Sequence, residues 1–429
     1  MLSPMHAPIL LWLIVGAAIL LMLVRPRGVA EVYWIGGGAG LLLLLRLMPL
    51  RLAGRAVLEG SDVYLFLTGM MLLSELARET GVFDWLASAT VRLARGSRAR
   101  LFALVYAAGT AVTIFLSNDA TAVVLTPAIL AAVRKAKIPP LPYLFVCAMI
   151  ANAASFVLPI SNPANLVVFR SGMPPLGRWL IDFGVPSAVS ILCTYCVLRW
   201  IFRKELGEAM EAEADDGKGA APLSGHGKLV LAGLGAVVVV LLVASSLKWD
   251  LGLPTCLAAL AVTAAVCVRA QINPLRLAKE ISWATLALVA GLFVLVEAVE
   301  SVGALKYTSQ ALHWAQGLPQ VGGALAASFA VGVANNLVNN LPLGWIVGAT
   351  IQSAHVHGLL ANAALIGVDL GPNLSVTGSL ATILWLLALR KEGLDVGFWK
   401  FLKVGIFAMP IALLLATMAA AGMRLLFAS

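Results

Sequence analysis

Residues 369–379 (DLGPNLSVTGS) sit between the apolar runs 359–368 and 380–389, where an uninterrupted helix would otherwise cross a membrane. They cannot continue that helix. Gly371 and Pro372 stop the backbone ladder, and Asn373, Ser375, Thr377 and Ser379 add side-chain dipoles at a depth where hydrocarbon pairs nothing. An unpaired backbone group in lipid costs several kcal/mol, so the interruption must be buried in protein or line a wet cavity. A second interruption of the same kind runs from Pro159 through Ser161 and Asn162 to Asn165.

The rest of the chain supports a membrane setting. Of its 429 residues 61% are hydrophobic and 12% charged, with a mean hydropathy of +0.94, whereas soluble domains carry about 25% charged residues. At about 20 apolar residues per span there is room for roughly ten to twelve crossings. The net charge of +9 lies in short loops between apolar runs, as membrane topology requires, and does not point to nucleic acid. Residues 8–24 have no basic segment before them and no small-residue cleavage site before Arg25, so a retained first span is expected. The five cysteines (Cys147, Cys193, Cys196, Cys256 and Cys267) lie in apolar runs. Packing roles are expected for all of them, including the C-x-x-C pair Cys193 and Cys196, which has no βαβ context.

In chain order, spans are expected at 8–24, 30–50 and 62–77, followed by an amphipathic segment at 82–94. Residues 101–116 and 120–133 are apolar arms around Ser117, Asn118 and Asp119, which suits a re-entrant hairpin with its polar tip at mid-depth. A broken span at 140–170 and a span at 183–202 complete the first half. Residues 205–228 are charged and contain Gly, Ala and Pro, which marks a linker. Residues 229–429 repeat residues 1–204: spans at 229–246, 252–268 and 283–299, an amphipathic segment at 302–316, a hairpin with its tip at 335–342, a broken span at 359–389 and a last span at 401–427. The expected fold is an all-α polytopic membrane protein of two five-span repeats, about ten transmembrane helices in all, each repeat with a re-entrant hairpin and a broken helix. An odd number of crossings per repeat inverts the second relative to the first. Placing both termini outside puts most of the basic residues in the cytoplasm, as the positive-inside rule requires. Counting each hairpin as two crossings gives twelve spans with the same ends.

If tips and breaks converge, they assemble a neutral amide and hydroxyl site from Ser117, Asn118, Ser161, Asn162, Asn165, Asn339, Asn340, Asn373, Ser375 and Thr377. Carboxamides both donate and accept, and half-helix N-termini add N–H groups, which suits a small hydroxyl-bearing solute. Any single Asn could instead cap a helix or bond a neighbouring one. Asp119 and Asp369 are the ionisable residues adjoining the interruptions, and intramembrane carboxylates are candidates for proton coupling. Asp119 is preferred because it shares a tip with Asn118; Asp369 could equally cap the broken helix. Glu75, Glu297 and Glu300 near span ends are expected to snorkel or pair with loop cations. No histidine spacing suggests a metal site, and no metal or other cofactor is expected.

The blocks Ser117 to Ala120 with Leu125, Thr126 and Pro127, then Asn339 to Pro342, then Asp369 to Asn373 running into Thr377 to Thr382 with Trp385, resemble the arsenite efflux permeases of the ArsB type. These belong to a superfamily that also contains dicarboxylate/sodium symporters and sodium/proton antiporters. Residues 161–165 are shared with several anion-transporter relatives, and at 373 this chain has Asn where some arsenite permeases have Lys. The resemblance implies export of arsenite or antimonite across the inner (plasma) membrane, driven by inward proton movement. Members of this family are able to associate with a soluble ATPase, and since the chain has no Walker sequence any use of ATP would be in trans. A sodium- or proton-coupled carrier of another oxyanion, a dicarboxylate or silicic acid would share the fold. An enzyme would need a catalytic dyad or metal set. For topology, a cysteine placed in 208–224 should be labelled only from the cytoplasm and one near Ser429 only from outside; labelling of both from one face would contradict inversion.

Overall fold

The computed structural model describes residues 6–170, 172–208, 222–303 and 305–426. Most of the linker 205–228 and the C-terminal labelling position near Ser429 lie outside these residues. Within them the chain is helical, with no strand, as a bilayer demands of any spanning structure that is not a closed barrel. The first half comprises α1 (His6–Val24), α2 (Glu31–Leu44), α3 (Leu50–Glu59), α4 (Ser61–Glu79), α5 (Val82–Leu93), α6 (Arg98–Phe115), α7 (Asn118–Ala120), α8 (Thr126–Lys135), α9 (Leu141–Ala153), α10 (Pro163–Val168), α11 (Leu176–Ile201) and α12 (Arg203–Gly207). The second comprises α13 (Gly225–Ser246), α14 (Gly252–Ala270), α15 (Pro274–Glu280), α16 (Trp283–Ser301), α17 (Leu305–Gln316), α18 (Gln320–Val338), α19 (Asn340–Ser353), α20 (Leu359–Leu370), α21 (Leu380–Lys391) and α22 (Phe398–Leu426). Among the described residues 7 helices are long and apolar enough to cross a membrane by themselves, and the pair α3–α4, bent by 46°, makes an eighth. The broken spans are built from shorter pieces.

Elements recur in the same order in both halves. α6 starts at 98 and α18 at 320; α7 starts at 118 and α19 at 340. At 30–50 the structure differs from the sequence expectation. The run 30–50 is not one span: Arg46, in left-handed conformation at φ 54°, ends α2 early, and the amphipathic α3 follows. Its counterpart α15 lies between α14 and α16. The helix after each break starts behind Asn162 and behind Ser379, so these two residues hold corresponding positions in the two halves.

Both hairpins return to the side from which they enter. Tyr143, which follows α8, donates to the carbonyl of Arg98 at the start of α6 (3.3 Å), and α5 packs against both α6 and α8. In the second half α17 packs on both arms, and Thr308 and Ser309 bond Thr350 (2.7 Å) and Ser353 (3.0 Å) near the end of α19. The two hairpins approach from opposite ends of α22. Arg134 of the first pairs with Glu392 just before α22 (3.0 Å), while Gly358, after the second hairpin, lies beside Arg424 near the end of α22.

Close packing then fixes the depth of the breaks. Trp385 of α21 donates its indole N–H to the Leu144 carbonyl of α9 (3.0 Å), joining the two halves. Gly348 of α19 sits on the Val168 carbonyl of α10, and Gly405 of α22 sits on the carbonyls of Asn373 and Leu374, where a Cβ would collide with backbone. Gly405→Ala is therefore expected to lower stability in detergent by about 1–3 kcal/mol. Gly36→Ala in α2, with open space around its Cβ position, should not; equal melting temperatures for the two variants would refute the packing.

Candidate functional site

Each break restarts as a capped helix. The Asn162 side-chain oxygen accepts from the backbone N–H of Ala164 (3.0 Å) at the start of α10, and Ser379 with Thr382 forms a capping box at the start of α21. These caps satisfy N–H groups that lipid would leave orphaned. Two side-chain pairs join one break to the other. The Asn162 amide donates to Asp369 Oδ1 (2.5 Å), and the Asn152 amide donates to Asn373 Oδ1 (3.0 Å). Asn373 in turn donates to the Met149 carbonyl (3.0 Å), and Ser379 donates to Asn152 Oδ1 (3.3 Å). Asp369 is completely buried. It lies in the last turn of α20, so it does not cap a helix N-terminus; it holds the opposite break.

The hairpin tips pack around this junction. At the first tip, Ser117 caps α7 through Ala120 N–H (3.2 Å) and the Asn118 side chain accepts from Asp119 N–H (2.9 Å). Asn118 is buried and Asp119 half-buried. Ser161 donates to the Ile114 carbonyl (3.1 Å), fastening this tip to the first break. At the second tip, Asn339 stands at φ 79° and donates to the Thr377 carbonyl (3.2 Å). Ser375 and Thr377 are bonded to each other (3.0 Å) and to Asn336, whose side-chain oxygen accepts from Ser375 (2.6 Å) and whose carbonyl accepts from Thr377 (3.1 Å). Asn335 donates to the carbonyls of Gly367 and Val368, both at 2.8 Å.

The candidates thus occupy one contiguous region in different states. Asn165 spends its donors on the Ser155, Leu158 and Pro159 carbonyls of its own loop, which is a turn-stabilising use. Asn152, Asn335 and Asn336 join the network although the sequence reading did not place them in the site. Asn152 was hidden inside an apolar run; the doublet Asn335–Asn336 was visible in the tip motif. Among the described residues, Asn165 Oδ1, Asn335 Oδ1, Asn340 Oδ1 and Asp369 Oδ2 are buried without a partner. All four are acceptors when the carboxyl is ionised. No Lys, Arg or His occurs in 117–126, 152–168, 335–345 or 369–382, so the region is neutral apart from its two carboxyls. The described residues contain no His/Cys/Asp/Glu group arranged to hold a metal.

Comparison with known proteins agrees with this architecture. The family model described as citrate transporter matches residues 3–370. Arsenical pump membrane proteins of Escherichia coli and Yersinia enterocolitica are each 26% identical to this chain, over 375 and 371 residues, covering 83% of it and 85% of the relative. An uncharacterized transporter of Mycobacterium tuberculosis is 23% identical over 372 residues, covering 83% and 84%. Among solved structures, the Alcanivorax borkumensis YdaH transporter superposes with a TM-score of 0.54 at 14% identity over 89% of both chains, a likeness of fold.

Asn152→Ala removes a donor from Asn373 and an acceptor from Ser379, leaving buried groups unpaired at about 1–3 kcal/mol. Its melting temperature should fall below that of Asn118→Ala, whose side chain, among the described residues, bonds its own turn. The reverse order would show that the inter-break network does not hold the fold.

Proposed function

The chain belongs to the citrate transporter family, and from that premise we propose that this multi-pass membrane transporter exports arsenite or antimonite from the cytoplasm by proton antiport and alternating access. The observation that carries the proposal is a cation-free junction in which the side-chain oxygens of Asn165 and Asn340, both in the proposed lining, are buried acceptors without a partner among the described residues. Arsenous acid is a neutral trihydroxide near pH 7 and brings O–H donors, which such acceptors bind reversibly. The names of the arsenical-pump relatives point the same way. Ser117, Asn118, Ser161, Asn162, Asn165, Asn339, Asn340, Asn373, Ser375 and Thr377 form the proposed lining, with Asn152, Asn335 and Asn336 holding it in shape.

Coupling rests on the two carboxyls. A charge sealed from water without a cation beside it is costly, so Asp369 carries a proton in this closed arrangement, and half-buried Asp119 is the second carrier. This reverses the order suggested by sequence, because burial and the bond to Asn162 distinguish Asp369. We read residues 1–204 and 229–429 as inverted halves around a cytoplasmic linker at 205–228, with both termini outside the inner membrane. Any use of ATP is by a soluble ATPase in trans.

The family description favours a second reading, an organic-acid carrier. A tricarboxylate would meet no cation in the four polar segments. Everted vesicles carrying the protein should accumulate As(III) when their interior is acidified. Uptake of citrate, with none of As(III), would establish the second reading and refute the first.

A further inference from the structure

Outward from the second tip, a column of polar groups continues beyond the proposed site, between α10, α16 and α19. Asn340 stands at its inner end with Oδ1 unpartnered. Beyond it is a small apolar cavity lined by Val167, Val289, Leu292, Phe293, Leu341 and Trp345. Trp345 closes the cavity: its ring meets that of Phe293 edge-on with centroids 3.8 Å apart, it is 2% exposed, and its indole N–H has no acceptor among the described residues. On the other face of the closure Arg170 lies with its Cζ 3.5 Å from the Trp345 ring centroid, one guanidinium nitrogen buried and unpartnered. Glu297, one turn beyond Phe293 on α16, follows. It makes no ion pair among the described residues, and the charges of Glu300, Glu59, Arg170 and Arg55 act on it.

Buried polar atoms are normally paired. Here Asn340 and Trp345 of α19 and Arg170, which lies on the Trp345 ring, leave atoms unpaired on either side of the apolar cavity lining. Water entering the column would satisfy all three. Trp345 closes the column in this arrangement, and an opened column would offer these atoms partners. Its outer end, near Gly60 at the α3–α4 bend and the last turn of α16, is the external end in the topology above.

We propose that this column is the external access route by which protons reach the junction, with Glu297 as its proton-accepting group and the Arg170–Trp345 contact as its closure. A proton passes from external water to the Glu297 carboxylate and on, through water in the opened column, to a site carboxylate. The net change is one proton moved inward and no bond to substrate made or broken. Glu297, expected from sequence to snorkel or pair with a loop cation, thereby acquires a role. The proposal deepens the proton-antiport reading and rests on it, but the route itself can be tested separately.

Two measurements test it. In right-side-out vesicles a membrane-impermeant maleimide should label Leu341→Cys slowly above the parent chain's background. Labelling should be several-fold faster when Arg170→Gln or Trp345→Phe is added. Unchanged labelling in both double variants, or labelling only from the opposite face, overturns the route whatever is transported. In everted vesicles Glu297→Gln should lose pH-gradient-driven As(III) accumulation while keeping As(III)/As(III) exchange at equal pH. Retention of full accumulation, or loss of exchange as well, overturns the role of Glu297. A parent protein that moves no As(III) would refute the transport reading, and the labelling result would still decide the route.

Discussion

Backbone interrupted at mid-membrane frees N–H and C=O groups that hydrocarbon leaves unpaired, each at a cost of several kcal/mol. In this protein the two interruptions answer each other. Asn162 bonds Asp369 and Asn152 bonds Asn373 across the junction, while Asn162 and Ser379 cap the helices that restart there. The glycines at 348 and 405 let helices approach carbonyls where any side chain would collide. The hairpin tips then cover the remaining polar surface: Ser161 ties one tip to the first break, and Asn336 and Asn339 tie the other to the second. Removing one member of the junction leaves its partner orphaned, so fold and site draw on the same few amides.

That shared use bears on how such a site could change shape. Net contributions of about 0.5–1.5 kcal/mol per hydrogen bond are large enough to define one arrangement and small enough to be exchanged for bonds to a solute or water. Several ion pairs of the described residues lie at exposed positions. Arg98 with Glu208, Arg134 with Glu392 and Arg390 with Asp395 each have at least one exposed partner. Exposed pairs contribute little to stability, so they bias an arrangement without locking it.

Much of this was legible in the sequence, for physical reasons that vary by element. Gly371 and Pro372, and Pro159 and Pro163, cannot continue a helix, so both breaks could be read directly, and the polar tips announced themselves against apolar arms. Length misled at 30–50, where Arg46 turns the chain and an amphipathic helix follows. It would also have misled at α6, which has the 18 residues of a span yet belongs to a hairpin. Asn152 was not legible because one amide inside an apolar run carries no mark of its partner, and Asn373 lies far along the chain. The pairing of Asn162 with Asp369 was equally hidden: both residues could be singled out, but only the fold shows that one holds the other.

The most direct test of the junction is a double-mutant cycle on its closest pair. Melting free energies of Asn162→Ala, Asp369→Ala and the double variant, measured in one detergent, isolate their mutual contribution. If the two breaks hold each other through this bond, the double variant should lose less than the sum of the singles by about 1 kcal/mol or more. Additivity within about 0.3–0.5 kcal/mol would contradict it.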